Sequence, residues 1–204
     1  MELRPDYEGA LLELGHVYER QQRMGEAIEV YERILKANPD NAPVRLRLAG
    51  LYAGQRKFEE AIAHFRAAEG PETDPQMIRT RIGLVFLEKG DYERAATEFS
   101  LVLGATPDNH RARYYLASVY AEKREHERAI EEFQRIPESD PLFVGARLQC
   151  AVLYQQQGRK EDALGEVTGP LPDVAGHVVQ SVRTGRVQSL VAIVGFSVVE
   201  AHGR

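Results

Sequence analysis

The chain has 204 residues, 43% of them apolar and 28% charged, with a net charge of −5 and a single cysteine. That balance excludes a disordered or collagen-like chain and an internal disulfide framework, and its acidity speaks against nucleic acid as a partner. The longest apolar run, Leu190–Phe196, falls far short of the roughly 18 residues a membrane-spanning helix needs.

The chain opens on Met-Glu-Leu-Arg-Pro-Asp. This has neither the basic nor the apolar segment of a secretory signal, so the expected compartment is the cytoplasm, or the periplasm or a membrane anchor if the true N-terminus lies upstream. Pro5-Asp6 returns as Pro39-Asp40, one full period along the repeat that follows. Residues 1–7 therefore read as the remnant of a second helix from a preceding repeat, or as a short cap. The first alternative would make the chain a piece of a longer array.

From residue 8 onwards one pattern recurs. Ala27, Ala61, Ala95, Ala129 and Ala163 stand at one constant interval. Tyr18, Tyr52, Phe86, Tyr120 and Tyr154 precede them, and Tyr31, Phe65, Phe99 and Phe133 follow, with Val167 in the fifth copy. A small residue recurs at Gly15, Ala49, Gly83, Ala117 and Ala151, after an apolar one at Leu14, Leu48, Ile82, Leu116 and Cys150. Such a period marks a stack of supersecondary units.

Within each copy the spacing predicts two helices. Leu11, Leu14, Gly15 and Tyr18 form one stripe, and Ala27, Ile28, Tyr31 and Ile34 another, both at helical intervals. The polar "RQQRMG" between them is a turn, and "NPDN" ends the second helix because proline disfavours helix at the residue before it. The small residue and the alanine let the two helices approach closely, and the aromatics fill the space between successive pairs. One pair has too little apolar surface to stand alone, so neighbours must stack.

The pattern Leu14-Gly15, Tyr18, Ala27, Tyr31, Pro39 resembles the tetratricopeptide repeat (TPR) family, and the interval matches that family's repeat length. The resemblance implies an all-α fold, an α-solenoid of antiparallel helix–turn–helix repeats in a right-handed superhelix. The repeats are 8–41, 42–75, 76–109, 110–143 and a truncated 144–168.

At Gly169-Pro170 the composition changes. Residues 169–204 hold nine valines, five glycines, no lysine and one glutamate. Val187, Leu190, Val191, Val194 and Val198 allow a helix over about 186–200, and their β-branching fits a strand equally well. The tail is either a cover for the stack or the product of a frame shift near residue 165.

No catalytic constellation emerges. The six histidines form no HExxH and no metal-ligand pair, and there is no phosphate-binding glycine loop or GxSxG elbow. Cys150 occupies a core position of the repeat and reads as a packed thiol. Glu59-Glu60 and Glu131-Glu132 read as solvated surface. The expectation is a non-enzyme with no cofactor and no metal.

What the resemblance implies instead is a concave groove lined by first helices. Its residues here are Leu12 and His16; Leu46, Arg47 and Gly50; Thr80, Arg81 and Leu84; Arg111, Tyr114, Tyr115 and Ser118; and Leu148, Gln149 and Val152. An apolar face with three arginines suits a peptide or helix that carries apolar anchors and an acidic group. Leu12 and His16 stand where chaperone-tail clamps of the family have lysine and asparagine, so that ligand is not expected. Arg45, Arg79, Arg113 and Arg147 also recur with the period of the repeat, and read as structural, with stems packed across repeat joints and heads paired to carboxylates. The expected role is an interaction scaffold. Two alternatives are the substrate-recruiting arm of a larger enzyme, and an assembly that self-associates through exposed stack ends.

Overall fold

The computed structural model of the protein describes residues 5–168. Among them are ten α-helices and no strand: α1 (Pro5–Arg20), α2 (Met24–Ala37), α3 (Ala42–Gly54), α4 (Phe58–Ala67), α5 (Pro75–Lys89), α6 (Tyr92–Ala105), α7 (His110–Glu122), α8 (His126–Gln134), α9 (Phe143–Gln156) and α10 (Lys160–Thr168). Each repeat thus contributes a first and a second helix. The first helix of repeat one reaches back to Pro5. The tail at 169–204, with its candidate helix, lies outside the described residues.

Local chemistry sets the helix boundaries. The Asn41 and Asn109 side-chain oxygens each accept from a backbone N–H three residues on, at 3.0 Å. Asp74 accepts from the Gln76 N–H, two residues on, at 2.9 Å. These caps satisfy donors that the first turn leaves without helical partners. The turn from first to second helix is fixed by one left-handed residue per repeat: Gln22, Arg56, Gly90, Arg124 and Gly158, with φ between 59° and 81°. The sequence reading saw only a polar turn here, although Gly90 and Gly158 carry the signal.

The chain forms two compact units, one up to Leu101 and one from Val102 on, divided inside α6. In the first unit α1 packs on α2, α2 on α3, α3 on α4 and α4 on α5. In the second, α7 packs on α8, α8 on α9, and α9 on α10. The recurring alanines 27, 61, 95, 129 and 163 are fully buried. No helix among the described residues is long and apolar enough to cross a membrane.

Two expectations change. The second-helix aromatics pack inside their own pair: a side chain at Gly83 would meet the Phe99 ring at 2.8 Å, and Tyr114 meets Phe133 edge-on at 5.0 Å. It is the first-helix aromatics that reach the preceding repeat, as Tyr52 does by donating to Glu32 at 2.7 Å. Leu14, read as core, is 38% exposed. In α10, Glu166 and Val167 are buried in the register of Glu132 and Phe133.

Candidate functional site

The recurring arginines separate into two groups. Arg79, Arg113 and Arg147 pair with Glu98, Glu132 and Glu166 at 3.2, 2.7 and 2.8 Å. Each pair joins the first helix of a repeat to the second helix of the same repeat, so the heads are not spent across joints. Glu132, read as solvated surface, is half-buried, and Arg135 holds its other oxygen at 2.5 Å. Arg45 has His64 in the corresponding place, and its Nε donates to the Pro39 carbonyl at 2.8 Å.

Arg47 and Arg81 in the first unit are exposed, whereas Leu12, His16, Leu46, Thr80 and Leu84 are half-buried and Gly50 is open. A side chain at Gly50 would meet nothing within 4 Å. The Arg47 guanidinium lies 3.5 Å from Glu19, and Glu19 also accepts from the Tyr31 hydroxyl. The Thr80 hydroxyl donates to the Gln76 carbonyl of its own helix at 2.8 Å, and Arg81 Nε points at the Met77 sulfur at 3.1 Å. His16 stands edge-on to Tyr31 with ring centroids 6.3 Å apart. The first-unit stripe is therefore apolar at its base with two cationic tips at its rim.

The second unit is different. Arg111 is exposed and Ser118 and Gln149 are half-buried, but Tyr114, Tyr115, Leu148 and Val152 are buried. The expectation of an open surface at these four positions does not hold. The Ser118 hydroxyl is spent on the Tyr114 carbonyl at 2.9 Å. Burial pushes the Tyr114 phenol up against the opposing effect of Gln149, and pushes Tyr115 up against the Arg111 charge. Both rings act as core.

Sequence reasoning missed two acids. Glu13 is 82% exposed and stands one repeat before Arg47, in the register of Arg47 and Arg81. The stripe therefore starts acidic and turns basic. Glu19 faces Arg47 from α1, and no spacing rule along one helix could have found it. Cys150 is fully buried with its Sγ 3.8 Å from the Ile130 carbonyl. Burial pushes its thiol well above the ordinary range, which suits packing and opposes nucleophilic use.

A profile described as Tetratricopeptide repeat matches residues 4–77 and 80–142. Among solved structures, a crystal structure of MamA shares 22% identity over 74% of this chain and 89% of its own, with a TM-score of 0.64. MamA 41-end from Desulfovibrio magneticus RS-1 shares 17% over 90% and 98%, at 0.70. YrrB, titled a TPR protein with an unusual peptide-binding site, shares 16% over 83% and 87%, at 0.62. At these identities the likeness is one of fold. No curated protein matches the sequence.

Proposed function

The chain belongs to the tetratricopeptide repeat family, and on that premise we propose that it is a non-catalytic scaffold holding a partner's peptide or helix along its first-helix stripe. The observation that carries this reading is the first-unit stripe itself. Leu12, Leu46 and Leu84 are half-buried below the exposed Arg47 and Arg81. Half-exposed apolar side chains can anchor a peptide, and guanidinium forks above them can take its carboxylates. YrrB, a TPR protein of similar fold with an unusual peptide-binding site, supports the reading. The reading rests on the first unit by itself; within the second, Arg111 is exposed and Ser118 and Gln149 are half-buried, while the larger side chains of the stripe are core.

The test is selection of displayed peptides on the full chain. The expected binders carry two apolar residues and an acidic one. Arg47→Glu with Arg81→Glu should weaken them by about tenfold, as loss of charge-assisted contacts at partly exposed sites implies, while helical content stays unchanged. Binding that ignores the double variant would sink the proposal.

A further inference from the structure

Three charges stand in one register of the first-unit stripe: Glu13 on α1, Arg47 on α3 and Arg81 on α5. All three are exposed. Arg47 keeps its exposure with α1 before it and α5 after it, so the register is open by its place on the helix and not by its place in the stack. Leu12, Leu46 and Leu84 lie half-buried on the same stripe.

The three heads differ in how far the chain itself neutralises them. Glu13 is 82% exposed and stands 4.0 Å from His16 Nδ1, beyond hydrogen-bond range. Arg47 is 45% exposed and lies 3.5 Å from Glu19, which also takes the Tyr31 hydroxyl. In repeat two the counterpart of Glu19 is Ala53, so Arg81 has no carboxylate in that place. Among the described residues it forms no ion pair and turns its Nε to the Met77 sulfur, a weak acceptor. The stripe thus presents an unspent acid at one end, an unspent base at the other and a half-neutralised base between them.

Spacing sets what fits this order. The Arg47–Glu19 contact brings α3 within side-chain reach of α1, and neighbouring helices stand about 8–10 Å apart. A segment in polyproline II form has three residues per turn, so every third side chain returns to one face after about 9 Å. A β-strand turns its third residue to the opposite face.

We propose that the stripe takes an extended, proline-containing segment of a partner protein, with a basic residue against Glu13 and acids against Arg47 and Arg81, each three residues from the next. The proposal rests on the reading of the stripe as a peptide site and adds the charge order and the form of the occupant. Arg81 contributes more than Arg47, because its guanidinium holds no acid that a partner's carboxylate must displace.

The probes are three fluorescein-labelled peptides offered to the full chain: Lys-Pro-Leu-Glu-Pro-Leu-Glu-Pro-Leu, the same peptide with glutamate in its first place, and the isomer Glu-Pro-Leu-Lys-Pro-Leu-Glu-Pro-Leu. Fluorescence anisotropy should rank the first tightest, and the isomer about tenfold weaker because its lysine faces Arg47. Glu13→Lys should exchange the order of the first two, and Arg81→Glu should weaken the first peptide more than Arg47→Glu does. Equal binding of the first peptide and its isomer would overturn the proposal, as would a ranking that Glu13→Lys leaves unchanged, or no binding by any of the three. Peptides that bind alike and are lost together in the Arg47→Glu, Arg81→Glu variant would defeat this charge order and leave the peptide-site reading standing. Binding that ignores that double variant would remove both.

Discussion

Arg113 of α7 and Glu132 of α8 hold an ion pair at 2.7 Å with 15% and 14% of their side chains exposed. The same relationship joins Arg79 to Glu98, and it returns as Arg147 with Glu166. In repeat one the register holds two buried apolar residues, Leu11 and Val30. The position is thus a bolt between the two helices of a repeat that can be made from charge or from hydrocarbon. Either version works because what matters is that neither partner is left buried alone.

That distinction separates structural arginines from exposed ones by stability. Arg113→Ala leaves Glu132 short of a partner in a half-buried place and should cost about 1–3 kcal/mol. Arg47 is 45% exposed and 3.5 Å from Glu19, so Arg47→Ala should cost about 0.5 kcal/mol or less. Urea unfolding of the two variants checks the ordering. Equal losses would mean that Arg113 is no bolt.

In repeat two the same register holds Arg45 and His64, and the histidine makes stability depend on pH. His64 stacks on Tyr52 with ring centroids 5.4 Å apart. Burial lowers its pKa first and the Arg45 charge lowers it further, with Glu32 opposing. A histidine with a depressed folded pKa is protonated first in the unfolded chain. Stability is therefore full above the unfolded value of about 6.5 and falls as pH drops through it, levelling off below the folded pKa. His64→Gln should flatten this part of the curve. Urea midpoints taken between neutral and mildly acidic pH show it, and an identical slope in the variant would remove His64 as its source.

The left-handed turn position offers a stability gain. Gln22, Arg56 and Arg124 adopt φ near 60° where repeats three and five place Gly90 and Gly158. A side chain in that conformation costs about 1 kcal/mol relative to glycine, partly offset by the freedom glycine gains when unfolded. Arg56→Gly and Arg124→Gly should each raise the thermal midpoint slightly, and Gly90→Ala should lower stability by about 1 kcal/mol. Calorimetry on the three variants tests the sign, and destabilisation by Arg124→Gly would show that its side chain matters more than its backbone.

Much of the fold was legible in the sequence because its determinants are periodic. Ala27, Ala61 and their later counterparts state the repeat, and the alternation of stripes and polar turns gives the helices. Pairing across helices was less legible. Glu98, Glu132 and Glu166 recur with the same period, but nothing along one helix says that they face the arginines rather than water. The stripe was legible as a register and not as a surface. Tyr114 and Leu46 share one position of the repeat, yet the first is buried and the second half-exposed. Burial depends on what neighbouring elements leave uncovered, which one residue's place in a repeat does not encode. Leu14 is the converse case, a core letter that no second helix of a preceding repeat covers among the described residues.

Close approach inside the pair gives the last test, and it pits two glycines against each other. Gly83 lies in α5 where a Cβ would come within 2.8 Å of Phe99 Cε1 and 2.9 Å of Cζ. Phe99 is fully buried, so its ring can retreat only by displacing the side chains packed around it. Gly83→Ala should therefore overpack the pair and cost about 1–3 kcal/mol despite alanine's higher helix propensity. Gly50 is in α3 with open space around the added methyl, and Gly50→Ala should gain about 0.5–1 kcal/mol from propensity alone. The same residue change should thus move urea midpoints in opposite directions. A gain at Gly83 would mean that the Phe99 ring shifts freely, and the tight joint between α5 and α6 would then not be what selects a small residue there.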